Sequence, residues 1–198
     1  MVFSSLLFLY AFLPLNLLFY VLARGIRMKN AVMLLFSLVF YAWGEPIYVI
    51  LMIFSILINY VSGLEIEAYQ ESGEEKKAKY AFIVTLVVNL LVLGFYKYYG
   101  FLLSNLNAIL PFKIPYKELA LPIGISFYTF QTLSYVIDVY KGKLNAQKNP
   151  ITFGAYVTMF PQLIAGPIVR YSDVEKQLSE REISRTKVSE GVAYFLRG

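Results

Sequence analysis

The chain has 198 residues, 58% of them hydrophobic, a net charge of +5 and only 16% charged residues, against roughly a quarter in a soluble domain. It has no cysteine and no histidine, which excludes structural disulfides, a zinc site, a Ser-His-Asp triad and a Cys-His pair within these residues. The basic residues lie in short loops and form no stripe with interleaved aromatics, so the charge reads as membrane orientation and not as nucleic-acid binding.

Long uncharged runs separate the charges, the pattern of an all-α polytopic membrane protein. The pattern predicts transmembrane helices over residues 3–23, 30–44, 46–64, 80–99 and 119–140. No Lys or Arg precedes Arg24, so the first helix reads as a span and not as a cleavable signal peptide. Pro14 lies in its middle and is expected to kink it. Arg24, Arg27 and Lys29 form a short loop before the second helix, which ends in "YAWGEP", with Tyr41 and Trp43 at the interface. Pro46 is placed to open the third helix. "EIEAYQESGEEKKAKY" carries five Glu and three Lys and reads as a solvated loop or short surface helix before the fourth. Lys97 is expected to snorkel from the fourth helix, and "PFKIPYKE" is a loop.

The loops after the first, third and fifth helices hold nine Lys and Arg, and those after the second and fourth hold two, Lys113 and Lys117. That bias predicts an N-terminus outside and the basic loops in the cytoplasm. "ITFGAYVTMFPQLIAGPIVRY" is apolar but contains Pro161, Gly166 and Pro167, and both its flanks are basic. Residues 151–169 therefore read as a re-entrant segment, the alternative being a plain sixth span that violates the charge rule. Residues 172–183 form a surface helix, with Ser172 and Glu175 as a capping box. Residues 188–198 begin another apolar run, so residues 1–198 read as the N-terminal part of one membrane domain.

Within the fifth helix, Gly124, Tyr128, Gln131, Tyr135 and Asp138 fall in an arc of about 80° at helical spacing. Phe130, Leu133 and Ile137 lie opposite. A stripe of glycine, phenols, an amide and a carboxylate faces other helices or a wet cavity, not lipid. Gly124, Ser126, Thr129 and Ser134 fit helix packing, where small and polar residues join membrane helices. Asp138 admits two readings: an ionisable group lining a chamber, or an interfacial partner of Lys141.

"LPIGISFYTFQTLSYVIDVY" followed by "MFPQLIAGPIVRY" resembles the membrane-bound O-acyltransferase family, in the branch of bacterial alginate O-acetylation. "MVFSSLLFLYAFLPL" and "SLVFYAWGEP" are similar to that branch too, so the resemblance covers essentially the whole chain. It implies a ring of transmembrane and re-entrant helices around a central chamber, in the bacterial inner membrane. It also implies acetyl transfer from a cytoplasmic thioester donor, acetyl-coenzyme A or an acyl carrier protein, with no bound cofactor and no metal. The acetyl group would pass to an extracytoplasmic acetyltransferase partner or polysaccharide, with membrane lipids as surroundings. Related members D-alanylate teichoic acids, and a transporter or a non-catalytic scaffold is the remaining alternative.

The family's catalytic histidine lies in the second half of its members. This chain has none, so the resemblance places that residue beyond Gly198 and assigns no catalytic residue here. What carries over is scaffold: Pro122, Gly124, Ser126, Phe127, Tyr128, Gln131, Ser134 and Asp138 on the helix, and Pro161, Gln162, Gly166, Pro167 and Arg170 on the re-entrant segment. Tyr128, Gln131 and Ser134 are candidates to orient the chemistry from behind.

Overall fold

The computed structural model describes residues 5–117, 119–163, 168–181 and 184–197, and the regular structure among them is all helical. The first helix, α1, opens with a π-helical turn over Phe8–Phe12 and continues as Leu13–Leu22. Pro14 has no N–H to give and its ring crowds the carbonyl four residues back. The chain answers with one wider turn, in which the Leu13 N–H donates to the Phe8 carbonyl.

Helices α2 (Gly25–Gly44), α3 (Tyr48–Glu71) and α4 (Glu75–Ile109) are long and apolar enough to cross a membrane. All three overrun the bounds that charge spacing predicts. Arg27 and Lys29 belong to α2, and only Ala23 and Arg24 separate it from α1. The acidic stretch is not a loop: α3 runs through Glu71, α4 begins at Glu75, and Ser72–Glu74 turn between them. Charges end an apolar run without ending a helix, because Glu and Lys are good helix formers once outside the hydrocarbon. The 35 residues of α4 span roughly 52 Å at ~1.5 Å per residue, well beyond the ~30 Å of a hydrocarbon core. It stops where Leu110 takes an extended ψ of 144°, as the residue ahead of Pro111 must.

The predicted 119–140 helix is shorter at its start. Gly124 has φ +76°, a left-handed conformation that breaks the helix, so α5 covers Ile125–Tyr140 and residues 119–124 lie outside it. At 16 residues α5 reaches roughly 24 Å. It is nearly surrounded by α3, α4, α6 and α8, and even Leu133, opposite the polar stripe, is buried. The remaining helices are α6 (Pro150–Thr158), α7 (Phe160–Leu163), α8 (Tyr171–Ser179) and α9 (Arg185–Arg197). The capping box expected for α8 does not form: Arg170 is its N-cap, no side chain caps the turn, and the Ser172 hydroxyl donates to Asp173. Residues 182–183 of that predicted helix lie outside the described residues.

In lipid, packing and interhelical hydrogen bonds hold helices together, since hydrocarbon does not drive apolar groups inward. The α3–α4 contact shows both. Asn59 and Asn89 exchange amide hydrogen bonds of 3.0 and 3.1 Å, and the Thr85 hydroxyl donates to Ser62 at 2.7 Å. A second cluster joins Phe8, Phe12, Phe40 and Phe160, with ring centroids 5.5–6.1 Å apart.

Candidate functional site

Two elements form the site, the polar face of α5 and the broken segment α6–α7. Asn149 starts α6 by accepting from the Ile151 and Thr152 N–H groups, and Pro150 follows at the first helical position. The helix breaks at Met159, two residues ahead of Pro161, where φ is −46° and ψ 107°. Phe160 then gives its N–H to the Ser37 hydroxyl of α2 at 3.2 Å. A side chain of a spanning helix thus satisfies backbone that the break releases, which membrane depth requires.

The segment runs antiparallel to α5 and comes back. At its base the Gln147 N–H donates to Tyr135 Oη at 2.9 Å. Further on, the Gln131 amide donates to the Tyr156 carbonyl at 3.1 Å. At the far end the Leu163 carbonyl sits where a Cβ on Gly124 would meet it at 2.9 Å. The following chain is back at the base, because the Tyr156 hydroxyl donates to the Val169 carbonyl and the Gln147 amide donates to Tyr171 Oη. Residues 147 and 171 are neighbours, so the chain that leaves the base with α6 and α7 is back beside it at Tyr171.

Of the predicted stripe, Gly124, Gln131 and Tyr135 meet on this interface, while Tyr128 faces α3 and α4. Gly124 is where glycine is required: its positive φ and the nearby Leu163 carbonyl both exclude a side chain. Tyr135 has its ring against Gly63, 4.6 Å from the Phe153 centroid and 5.3 Å from that of Tyr171. Ser134 donates to the Gln131 carbonyl within the helix at 2.7 Å. Tyr128 is 1% exposed, and its hydroxyl has no hydrogen-bond partner among the described residues. Beside it, a cavity of about 10 Å³ is lined in part by Ser55, Asn89 and Thr129, about the space of one water.

Asp138 is 8% exposed. Its carbonyl accepts from the Lys143 N–H, while no hydrogen bond or ion pair engages its carboxylate among the described residues. The pairing with Lys141 is not formed. On the segment, Pro161 and Gln162 lie in α7, and the Gln162 N–H donates to the Met159 carbonyl. Arg170 stands apart from them at the start of α8. Gly166 and Pro167 lie outside the described residues.

Several buried polar residues escape a reading of α5 alone. Glu67, set in a charged run, is 9% exposed. It accepts from the Ala146 N–H at 2.8 Å and pairs with Lys148, fastening the chain after α5 to α3. Asn30 donates to Thr152 and to the Leu178 carbonyl and accepts from Arg181, joining α2, α6 and α8. At the base, burial holds the Tyr171 phenol above its ordinary pKa while the Gln147 hydrogen bond acts the other way; it is a neutral phenol at neutral pH. No group of three metal-ligating side chains occurs among the described residues.

No protein-family model and no solved structure matches the chain. It is similar over its whole length to a probable alginate O-acetylase of Pseudomonas aeruginosa, with 42% identity across 205 residues and 38% of that protein covered. A probable alginate O-acetylase of Azotobacter vinelandii is 41% identical, again over the whole chain and 40% of the relative. A peptidoglycan O-acetyltransferase of Helicobacter pylori is 32% identical over 91% of the chain and 39% of its own length. The chain thus spans about two fifths of the length of the curated relatives it matches. The resemblance read from the two motifs holds along the whole chain.

Proposed function

We infer that this membrane protein, related along its length to the alginate O-acetylases, is the scaffold part of a membrane-bound O-acyltransferase that O-acetylates an extracytoplasmic polysaccharide. The observation that carries the reading is the 42% identity over the whole chain. Its donor is a cytoplasmic acetyl thioester, from coenzyme A or an acyl carrier protein. The acetyl group crosses the inner membrane to an acetyltransferase partner or directly to an alginate-like polymer. The N-terminus faces outward, and the end bearing Lys141, Lys143, Lys148 and Arg170 faces the cytoplasm, as the charge bias favours.

The geometry supports such a role in one respect. Acyl transfer across a bilayer needs the membrane thinned and polar groups held in a water-poor setting. An out-and-back segment packed on a buried polar helix offers both. Residues 151–169 would then be re-entrant from the cytoplasmic side, with α6 and α7 as the outgoing limb and Gln131 as the positioning residue that holds α6 against α5.

The test uses membrane vesicles carrying the full-length protein, labelled acetyl-coenzyme A and alginate. Labelled acetyl ester on the polymer is the expected result; ester formed only when a labelled D-alanyl thioester replaces the acetyl donor, or movement of solute without ester, would overturn the reading. Gln131→Leu is expected to lower transfer without loss of protein in the membrane. Unchanged transfer would remove Gln131 from the machinery.

A further inference from the structure

Two cavities meet at Pro150 and Ile151, on the outer side of α6. One is polar, about 540 Å³, and its lining includes Arg27, Gln147, Lys148, Thr152 and Ser179. The other is an apolar groove of about 250 Å³ between α2, α3 and α6, lined among others by Leu34, Leu38, Ile53, Leu57 and Gly154. Both α2 and α3 are long and apolar enough to span a membrane, so hydrocarbon is the medium outside the groove. A polar atom on the groove wall, the Tyr60 hydroxyl, donates to the Lys148 carbonyl at 2.8 Å, at the end where the cavities join.

The polar cavity carries positive charge. Arg27 is exposed and has no ion-pair partner among the described residues. The Lys148 ammonium pairs with Glu67, yet its side chain is 67% exposed, which leaves donors open to a second acceptor. Glu180, just after the lining residue Ser179, is exposed at the rim. Asn149 already satisfies the first N–H groups of α6, so attraction for an anion rests on the two cations and not on the helix end.

We propose that this composite site holds an anionic phospholipid of the surrounding bilayer. Its phosphate lies against Arg27 and Lys148, and the first part of one acyl chain lies in the groove. From Ile53 to Tyr60 the groove runs roughly 10 Å along α3, about a third of the hydrocarbon core. A soluble phosphate would leave the apolar floor uncovered, and a zwitterionic headgroup would bring its own cation beside Arg27 and Lys148. Only an amphiphile with a charged head meets both halves. Bound there, the lipid fixes the base of α6 to one leaflet, whatever reaction the full-length protein performs.

The experiment delipidates the full-length protein and exchanges it into vesicles of equal parts phosphatidylglycerol and phosphatidylcholine. Lipid retained after detergent extraction is then counted by native mass spectrometry. Phosphatidylglycerol is expected to be retained preferentially, and Arg27→Gln to cut that preference about fivefold, the effect of one cation at a membrane surface. Leu57→Trp fills the groove from a half-exposed position and is expected to abolish retention of both lipids without changing the unfolding midpoint. Added inorganic phosphate is expected to displace nothing. The proposal is overturned by equal retention of the two lipids, by an unaltered preference in Arg27→Gln, by displacement with phosphate alone, or by no retained lipid because another part of the protein covers the groove.

Discussion

Gly63→Ala tests the closest approach in the fold. A Cβ at Gly63 would lie 2.8 Å from Tyr135 Oη, 2.9 Å from Cε1 and 3.1 Å from Cζ. The ring cannot swing aside cheaply, because Tyr135 is fully buried between Phe153 and Tyr171 and its hydroxyl accepts from the Gln147 N–H. Overpacking of this kind costs about 1–3 kcal/mol, and losing the Gln147 bond adds ~0.5–1.5 kcal/mol. For 198 residues the two together would lower an unfolding midpoint by roughly 3–18 °C, and by less in the longer full-length protein. The assay heats the full-length protein in detergent and measures the monodisperse fraction by size-exclusion chromatography. Gly94→Ala is the control, since nothing lies within 4 Å of a Cβ at that position, and it is expected to be neutral or slightly stabilising. A Gly63→Ala midpoint equal to that of the control would refute the packing of α3 on α5 through Tyr135.

Two further substitutions probe the rest of the scaffold. Asn59→Leu strips Asn89 of its reciprocal partner and is expected to cost about 1–2 kcal/mol. Adding Asn89→Leu should recover part of that loss in a double-mutant cycle, and strict additivity would show that the amides do not pair. Gly124→Ala forces a side chain into a left-handed φ, about 1–2 kcal/mol, and against the Leu163 backbone carbonyl. It is expected to loosen α7, read as faster hydrogen exchange over residues 160–163; unchanged exchange there would contradict the contact.

The α5 stripe was legible because its polar residues interrupt an apolar run at helical spacing. The same signal marks α3 and α4, where Ser55, Asn59 and Ser62 follow spacings of 4 and 3, and Thr85 and Asn89 a spacing of 4. Those residues sit singly among Ile, Leu and Val, and only the pairing of the two helices shows that they meet. Helix ends were the least legible part. Counting uncharged residues locates hydrocarbon, whereas helices end at backbone causes such as Gly124 and Pro111. Glu67 was misplaced for that reason: its sequence neighbours are charged, but α3 carries it past the membrane edge on the face that meets Lys148 and Ala146.

Whether a polar residue in the stripe serves packing or chemistry can be argued from its hydrogen bonds. Gln131 and Tyr135 bond to residues outside α5 at 3.1 and 2.9 Å and Ser134 bonds back to its own helix at 2.7 Å, so packing and local helix bonding account for all three. Tyr128 and Asp138 differ. The Tyr128 hydroxyl is buried with no hydrogen-bond partner among the described residues, whereas the Asp138 carboxylate, also without a donor or cation among them, is not sealed from solvent. A buried polar group without a partner costs about 1–3 kcal/mol, a cost that packing alone does not offset. They stand ten residues apart on α5, roughly 15 Å along its axis, one near the Gly124 end and one near the basic end. Helix packing therefore explains Gly124, Gln131 and Tyr135, and leaves the Tyr128 hydroxyl as the stripe's buried polar atom with no partner among the described residues.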